Sequence, residues 1–199
     1  MQSGVTDDQV DHNDVLAALR AATSTRHATL DRAMPLAQPE PSLQAYRDHL
    51  LLLRAWLAPL ESWLARFRDG PQDPAVLPPV TRLPVLDDDL AHDAMPRGGT
   101  EVTPVDTTSL PDDPAYRWGI CYVIEGSQLG GAVMYRQLAE RLAPHPLRYL
   151  GSRPPGPRWQ QFLAALRAHV RTEREVAAAC EGARRSFDDL LARAKGPQS

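Results

Sequence analysis

Apolar positions along this chain recur at helical intervals. Leu16, Leu19, Thr23, His27, Leu30 and Met34 follow one another at spacings of 3, 4, 4, 3 and 4 residues. At about 100° per residue they fall within about 40° of one line. The pattern predicts a first helix that opens at Asn13 or Asp14 as cap and ends near Met34, just before Pro35. His27 then sits in the inward-facing stripe. A second helix, from about Ser42 to Phe67, repeats the pattern through Tyr46, Leu50, Leu53, Leu57, Leu60, Leu64 and Phe67, with Pro59 expected to kink it. Asp113 caps a third, opened by Pro114 and running through "AYRWGICYVIEGSQLGGAVMYRQLAERLA". Its first half is apolar nearly all round, which places it at the centre of a domain. A fourth, around "PRWQQFLAALRAHV", turns Trp159, Phe162, Leu163, Leu166 and Val170 to one side. Thr172 and Glu175 form a capping box that opens the last, whose inner face is Val176, Ala179, Cys180, Ala183, Phe187 and Leu190.

Between the second and third long helices the pattern breaks. Residues 70 to about 113 are rich in proline and cannot form a long helix, because proline lacks the amide donor and clashes with the preceding turn. A short helix around "LDDDLAHDAM" interrupts this segment, and "LDDDLAHD" reads as a solvated acidic stretch. No stretch alternates with period two. The expectation is an all-α, single-domain bundle of six to eight elements over residues 14–195, preceded by a flexible polar tail at 1–13. A chain of 199 residues is long enough for one substantial core.

Composition narrows the function classes. A net charge of −3 gives no general attraction for nucleic acid or an anionic membrane. No apolar run approaches the roughly 20 residues that span a bilayer, and the polar, acidic start suggests a cytoplasmic protein. Cys121 and Cys180 lie in helical sequence without a Cys-x-x-Cys pair and read as reduced core thiols. No phosphate loop, zinc-ligand spacing or nucleophile elbow is present.

Two features carry chemistry. On the third long helix, Gly119, Gly126 and Gly130 fall within about 40° of one line, with Gly131 to one side. Each glycine in a helix interior costs about 1 kcal/mol relative to alanine, so the bare strip needs a compensating neighbour. That neighbour is either a closely packed helix or a flat ligand lying on exposed backbone. The second feature is His27, with Asp31 one turn further on, where a carboxylate holds an imidazole in orientation as partners of metal-bound histidines do. Arg20, about 40° from the stripe, reaches toward an anionic group at the rim. A histidine facing a glycine strip defines a slot with a metal ligand on one wall and bare backbone on the other, and haem fits that description.

The residues also resemble a known family. "LRAATSTRHATLD" is similar to the first helix of haem oxygenases: a basic residue, a threonine three further on and the proximal histidine four after that, here Arg20, Thr23 and His27. "YVIEGSQLGG" resembles the distal helix of the bacterial branch associated with bacteriophytochromes. "YRDHLLLLRAWLAPLE" and "ARRSFDDLLARA" resemble the same family, so the likeness covers most of residues 14 to 195. It implies an all-helical haem oxygenase-like fold and an activity: oxidative opening of haem to biliverdin with release of iron and carbon monoxide. Haem is then both cofactor and substrate, and an external reductase or ferredoxin supplies electrons. It further implies that His27 ligates iron, that Arg20, Thr23, Asp31, Gly126, Gly130 and Gly131 contact the cofactor, and that Gly126, Ser127 and Gly130 form the catalytic wall. The bilin product would suit a bacteriophytochrome. Ser127 stands where animal-type members carry an aspartate, and Ala164 where many carry a basic residue that contacts a propionate. Arg158, Arg167 and Arg171 are the possible substitutes, and Ser127 and Glu125 the possible proton-delivery groups.

Four rival readings stand beside this one, the blandest being a purely structural helical partner with no ligand. A di-iron site needs Glu-x-x-His pairs on inward faces, which this sequence lacks. A thiaminase-like relative would use a buried cysteine, for which Cys121 is available. A haem or bilin carrier would keep the slot without turnover. His49, His92, His145 and His169 do not show the orienting pattern read at His27, although His169 lies near an apolar face and serves as the reserve iron ligand. The four tryptophans read as core.

Overall fold

The computed structural model describes residues 14–99, 101–151 and 155–194; the tail expected at 1–13 and the alternative cap Asn13 lie outside the described residues. Among the described residues there are seven α-helices: α1 Val15–Ala33, α2 Leu43–Leu64, α3 Leu83–Leu90, α4 Pro114–Leu138, α5 Arg148–Gly151, α6 Pro155–His169 and α7 Glu173–Ala194. No strand occurs among the described residues.

Helix starts follow the expected caps. The Asp14 carboxylate accepts from the Leu16 amide, Ser42 from Ala45, and Asp113 from Ala115 and Tyr116. At α7 the Thr172 amide donates to Glu175 Oε2 at 2.9 Å and the Glu175 amide to Thr172 Oγ1 at 3.3 Å, which completes the capping box. These hydrogen bonds hold the Glu175 carboxyl below its ordinary value.

Pro59 lies inside α2. It has no amide to offer the Ala55 carbonyl one turn back, and that carbonyl instead accepts from the Val105 amide at 3.0 Å. A helix defect thus anchors the proline-rich segment. Tyr46, Leu50, Trp56, Leu57 and Leu60 are fully buried along the same helix, each apolar side chain contributing about 1.5–3 kcal/mol.

α4 packs centrally against α5, α6 and α7, and α1 lies on α7. The close approach of α4 and α7 is made by glycines. A methyl group on Gly119 would overlap the Ala179 carbonyl oxygen and stand 2.8 Å from the Ala183 nitrogen, and one on Gly182 would overlap the Tyr116 carbonyl oxygen. Gly119 therefore belongs to a helix contact and not to a ligand strip. Arg26 clamps α1 to α7 through Asp188, with Nε–Oδ1 at 2.8 Å and Nη2–Oδ2 at 3.1 Å.

The acidic stretch at α3 departs from expectation. Asp89 is fully buried. Its Oδ2 accepts from the Tyr46 hydroxyl at 2.6 Å and the Tyr149 amide at 2.8 Å, while its carbonyl meets His145 Nε2 at 3.0 Å. One carboxylate thus joins α2, α3 and α5, because the run supplies an acid on the only face of α3 that turns inward. Cys121 and Cys180 are free, and burial pushes the Cys121 thiol up to about 12, making it inert.

Candidate functional site

All of the predicted site residues except Arg20 border one cleft of about 640 Å³, a size suited to a cofactor-scale ligand. Its walls come from α1, α2, α4 and α7, with shorter contributions from α5, α6 and the turn after α1. Among the predicted residues, Thr23, His27, Asp31, Gly126, Ser127, Gly130 and Gly131 border it.

On α1 the His27 side chain is 64% exposed, because the stripe that is buried at Leu16 and Leu19 opens there onto the cleft. Its Nδ1 lies 2.9 Å from Asp31 Oδ2. The i,i+4 spacing thus brings the carboxylate against Nδ1 and leaves Nε2 as the other ring nitrogen. The ring leans on Phe187 of α7, centroids 5.9 Å apart. Thr23 is buried and donates to the Leu19 carbonyl at 2.8 Å, which satisfies its hydroxyl at the cleft wall.

The glycines of α4 divide by role. A side chain at Gly130 would meet nothing within 4 Å, one at Gly126 would make ordinary contact with the Trp159 ring at 3.7 Å, and one at Gly131 would touch Leu150 at 3.7 Å. Only Gly130 leaves wholly open backbone on the cleft. Trp159, expected in the core, stands over Gly126 and forms part of the wall. Its chain neighbour Arg158 and Arg82 both grip Glu125, with Nη2–Oε1 distances of 2.9 and 2.8 Å. Burial works to raise the Glu125 carboxyl, but the two guanidiniums outweigh it and hold it below its ordinary value. Glu125 is thus an ion-paired strut outside the cleft lining, not a proton-delivery group. Arg158 is spent on it, and Arg167 lies 3.7 Å from Asp14.

Arg20 is exposed and does not border the cleft, although it lies against the hydroxyl of Tyr122, which does. Ser127 donates to the Ile124 carbonyl at 2.8 Å and accepts from Gln128 Nε2 at 3.3 Å, so its proton is turned back onto its own helix. Gln128 also approaches the Tyr149 hydroxyl at 3.4 Å. His169 is corrected as a reserve ligand: its Nδ1 meets the Ala165 carbonyl at 2.8 Å and its ring stacks on Trp118, outside the cleft.

Two cleft residues escaped sequence reasoning. Tyr149 belongs to a four-residue helix too short to show a period. His49 has no carboxylate one turn on, yet it is three residues after Tyr46 and four before Leu53, so helical spacing also sets it beside stripe positions. It is 3% exposed, borders the cleft, and its Nδ1 is sealed without a hydrogen-bond partner. Burial depresses the imidazole from 6.5 to about 4. The folded state therefore refuses a proton that the unfolded chain accepts. Stability from this group is fully present above pH 6.5 and is lost as the pH falls from there through about 4. The loss is about 1.6 kcal/mol between pH 6.5 and 5. Urea denaturation at both pH values should show that difference in the parent protein, and equal pH sensitivity in His49→Leu would contradict it.

The chain is thus an all-helical protein whose largely apolar cleft is bordered both by the His27 imidazole, paired with Asp31, and by side-chain-free backbone at Gly130. Residues 13–190 match the family model described as "Heme oxygenase", and the chain belongs to that family. Over 89 residues it is 39% identical to a "Heme oxygenase" of Xanthomonas campestris pv. campestris (strain 8004), a match covering 42% of this chain and 54% of the relative. The chain thus spans about half the length of the curated relative it matches.

Proposed function

We propose that this protein opens the porphyrin ring of haem to biliverdin, releasing iron and carbon monoxide, with dioxygen and an external reductase or ferredoxin as co-reactants. The observation that carries the proposal is that His27 and the open backbone at Gly130 border the same cleft. The donor set fits haem. Among the described residues no three His, Cys, Asp or Glu side chains converge to hold a free metal ion, whereas a porphyrin iron brings four nitrogens of its own and needs one imidazole.

Haem, when bound, supplies the redox-active iron and is itself the molecule oxidised. The chain's residues do the rest. His27 offers Nε2 to the iron and Asp31 fixes its ring. Gly130 and Gly126 let one face of the porphyrin approach backbone, and Trp159, Phe187 and Met134 exclude bulk water. Arg20, at the rim beside Tyr122, is the cation offered to a propionate. Removing the orienting carboxylate with Asp31→Ala is expected to weaken haem binding about 10-fold, measured by absorbance titration; unchanged affinity would deny Asp31 this role. The bilin product suits a bacteriophytochrome as its user.

Among the described residues no helix is long and apolar enough to cross a membrane, so the assay uses purified protein in buffer. Ferric haem should produce a Soret band saturating at one equivalent. Adding reductant in air should bleach that band while bilin absorbance and carbon monoxide appear. One observation favours the carrier reading, namely that the Ser127 proton is committed to Ile124. A Soret band that persists under reductant would establish a carrier, and no band at all would reject haem.

A further inference from the structure

The polar inventory of the cleft leaves one group unexplained. Ser127 spends its proton on its own helix, Asp31 is engaged with His27, and Thr23 is satisfied by Leu19. His49 alone among the cleft histidines is buried and has no hydrogen bond at Nδ1. Leaving a buried polar group unpaired is costly, and in native structures such a group calls for an explanation such as a functional role or an unmodelled water or ion. An orphaned buried N–H is rarer than an orphaned acceptor. The sealed Nδ1 is therefore best left as a bare lone pair, which puts the ring proton on Nε2.

Building on the haem reading above, we infer that His49 is a positioning residue of the cleft: its Nε2–H donates to an oxygen that occupies the cleft once the flat ligand has displaced bulk water. That oxygen belongs either to a water ordered by the ligand or to a ligand carboxylate. The acceptor chemistry is the same in both cases. The site is distinct from His27, which lies on α1 and is oriented by a carboxylate, whereas His49 enters from α2 and has none. Its neighbours along the stripe, Tyr46 and Leu53, cannot take its place: Tyr46 is committed to Asp89, and Leu53 is apolar.

Uniformly ¹⁵N-labelled protein tests this directly, with His49→Leu supplying the assignment by loss of its signals. The expected result is a neutral Nε2–H tautomer in the free protein, with its nitrogen resonance shifting when zinc protoporphyrin is added. The same addition of zinc protoporphyrin dimethyl ester separates the two acceptors, since a shift that persists identifies water and one that vanishes identifies a propionate. An Nδ1–H tautomer, or a resonance unmoved by either porphyrin, overturns the inference. Stability gives an independent arm. His49→Leu should raise the thermal midpoint of the free protein, because it removes an unpaired polar group, while weakening porphyrin binding about 3–10-fold. His49→Gln, which keeps a donor, should bind within about 3-fold of the parent. A fall in midpoint for the leucine variant with affinity unchanged would make His49 a packing residue only. If the parent protein binds no porphyrin, the functional reading fails as a whole, whereas binding with a silent His49 defeats this inference alone.

Discussion

Gly119→Ala is expected to destabilise the protein by about 3 kcal/mol or more, a large share of a typical folding free energy of roughly 5–15 kcal/mol. The new methyl would overlap the Ala179 carbonyl oxygen, and both groups are held by helical backbone. Neither can rotate away, so α4 and α7 must separate along their crossing. Gly182→Ala meets the Tyr116 carbonyl in the same way from the opposite helix. The double substitution should cost less than the sum, because one separation relieves both overlaps. At about 2–4 °C per kcal/mol for a chain of this size, each variant should lose roughly 10 °C in thermal midpoint. Gly130→Ala provides the contrast. Its methyl meets nothing within 4 Å, and alanine's higher helix propensity should add up to about 1 kcal/mol. If Gly119→Ala and Gly130→Ala behaved alike, the division of the glycines between packing and ligand would be wrong.

His27→Ala is expected to weaken haem binding by at least about 10²-fold, the upper end of what loss of a mere orienting partner costs, and to abolish ring opening. The spectrum of any residual complex should lose the features of imidazole ligation, and added imidazole should restore them by filling the space left at α1. The fold should survive, since the side chain is 64% exposed and makes no buried contact that the core depends on. An unchanged haem spectrum would move the iron ligand elsewhere, and the geometry names the alternative. His49 borders the cleft, whereas His169 is stacked on Trp118 outside it.

How much of this was legible in the sequence depends on the range of the interaction concerned. Caps such as Asp14, Ser42 and Asp113, the capping box at Thr172 and Glu175, and the orientation of His27 by Asp31 all arise within one turn of helix, so spacing alone specifies them. The glycine strip was legible as a strip but not in its use. Gly119 and Gly130 lie on one line of α4, yet one faces α7 and the other an open cleft, and angular position does not record what stands opposite. Asp89 looked solvated because a run of three aspartates usually is, and only the approach of Tyr46, from 43 residues away, and Tyr149, from 60, made it a buried anchor. Spacing offers Arg158 to a propionate, whereas in the fold Glu125, 33 residues away, takes its guanidinium.

By itself the sequence determined the helical class, the ends of most helices, and the pairing of an oriented imidazole with a glycine-rich helix, because backbone hydrogen bonding and side-chain periodicity are local. Tertiary structure decided which glycine packs and which stays bare, that His49 joins His27 at the cleft while His169 lies outside it, and which charges are spent on one another. Those outcomes depend on what lies across a gap of a few ångströms between segments far apart in the chain, and neighbouring residues do not encode that distance.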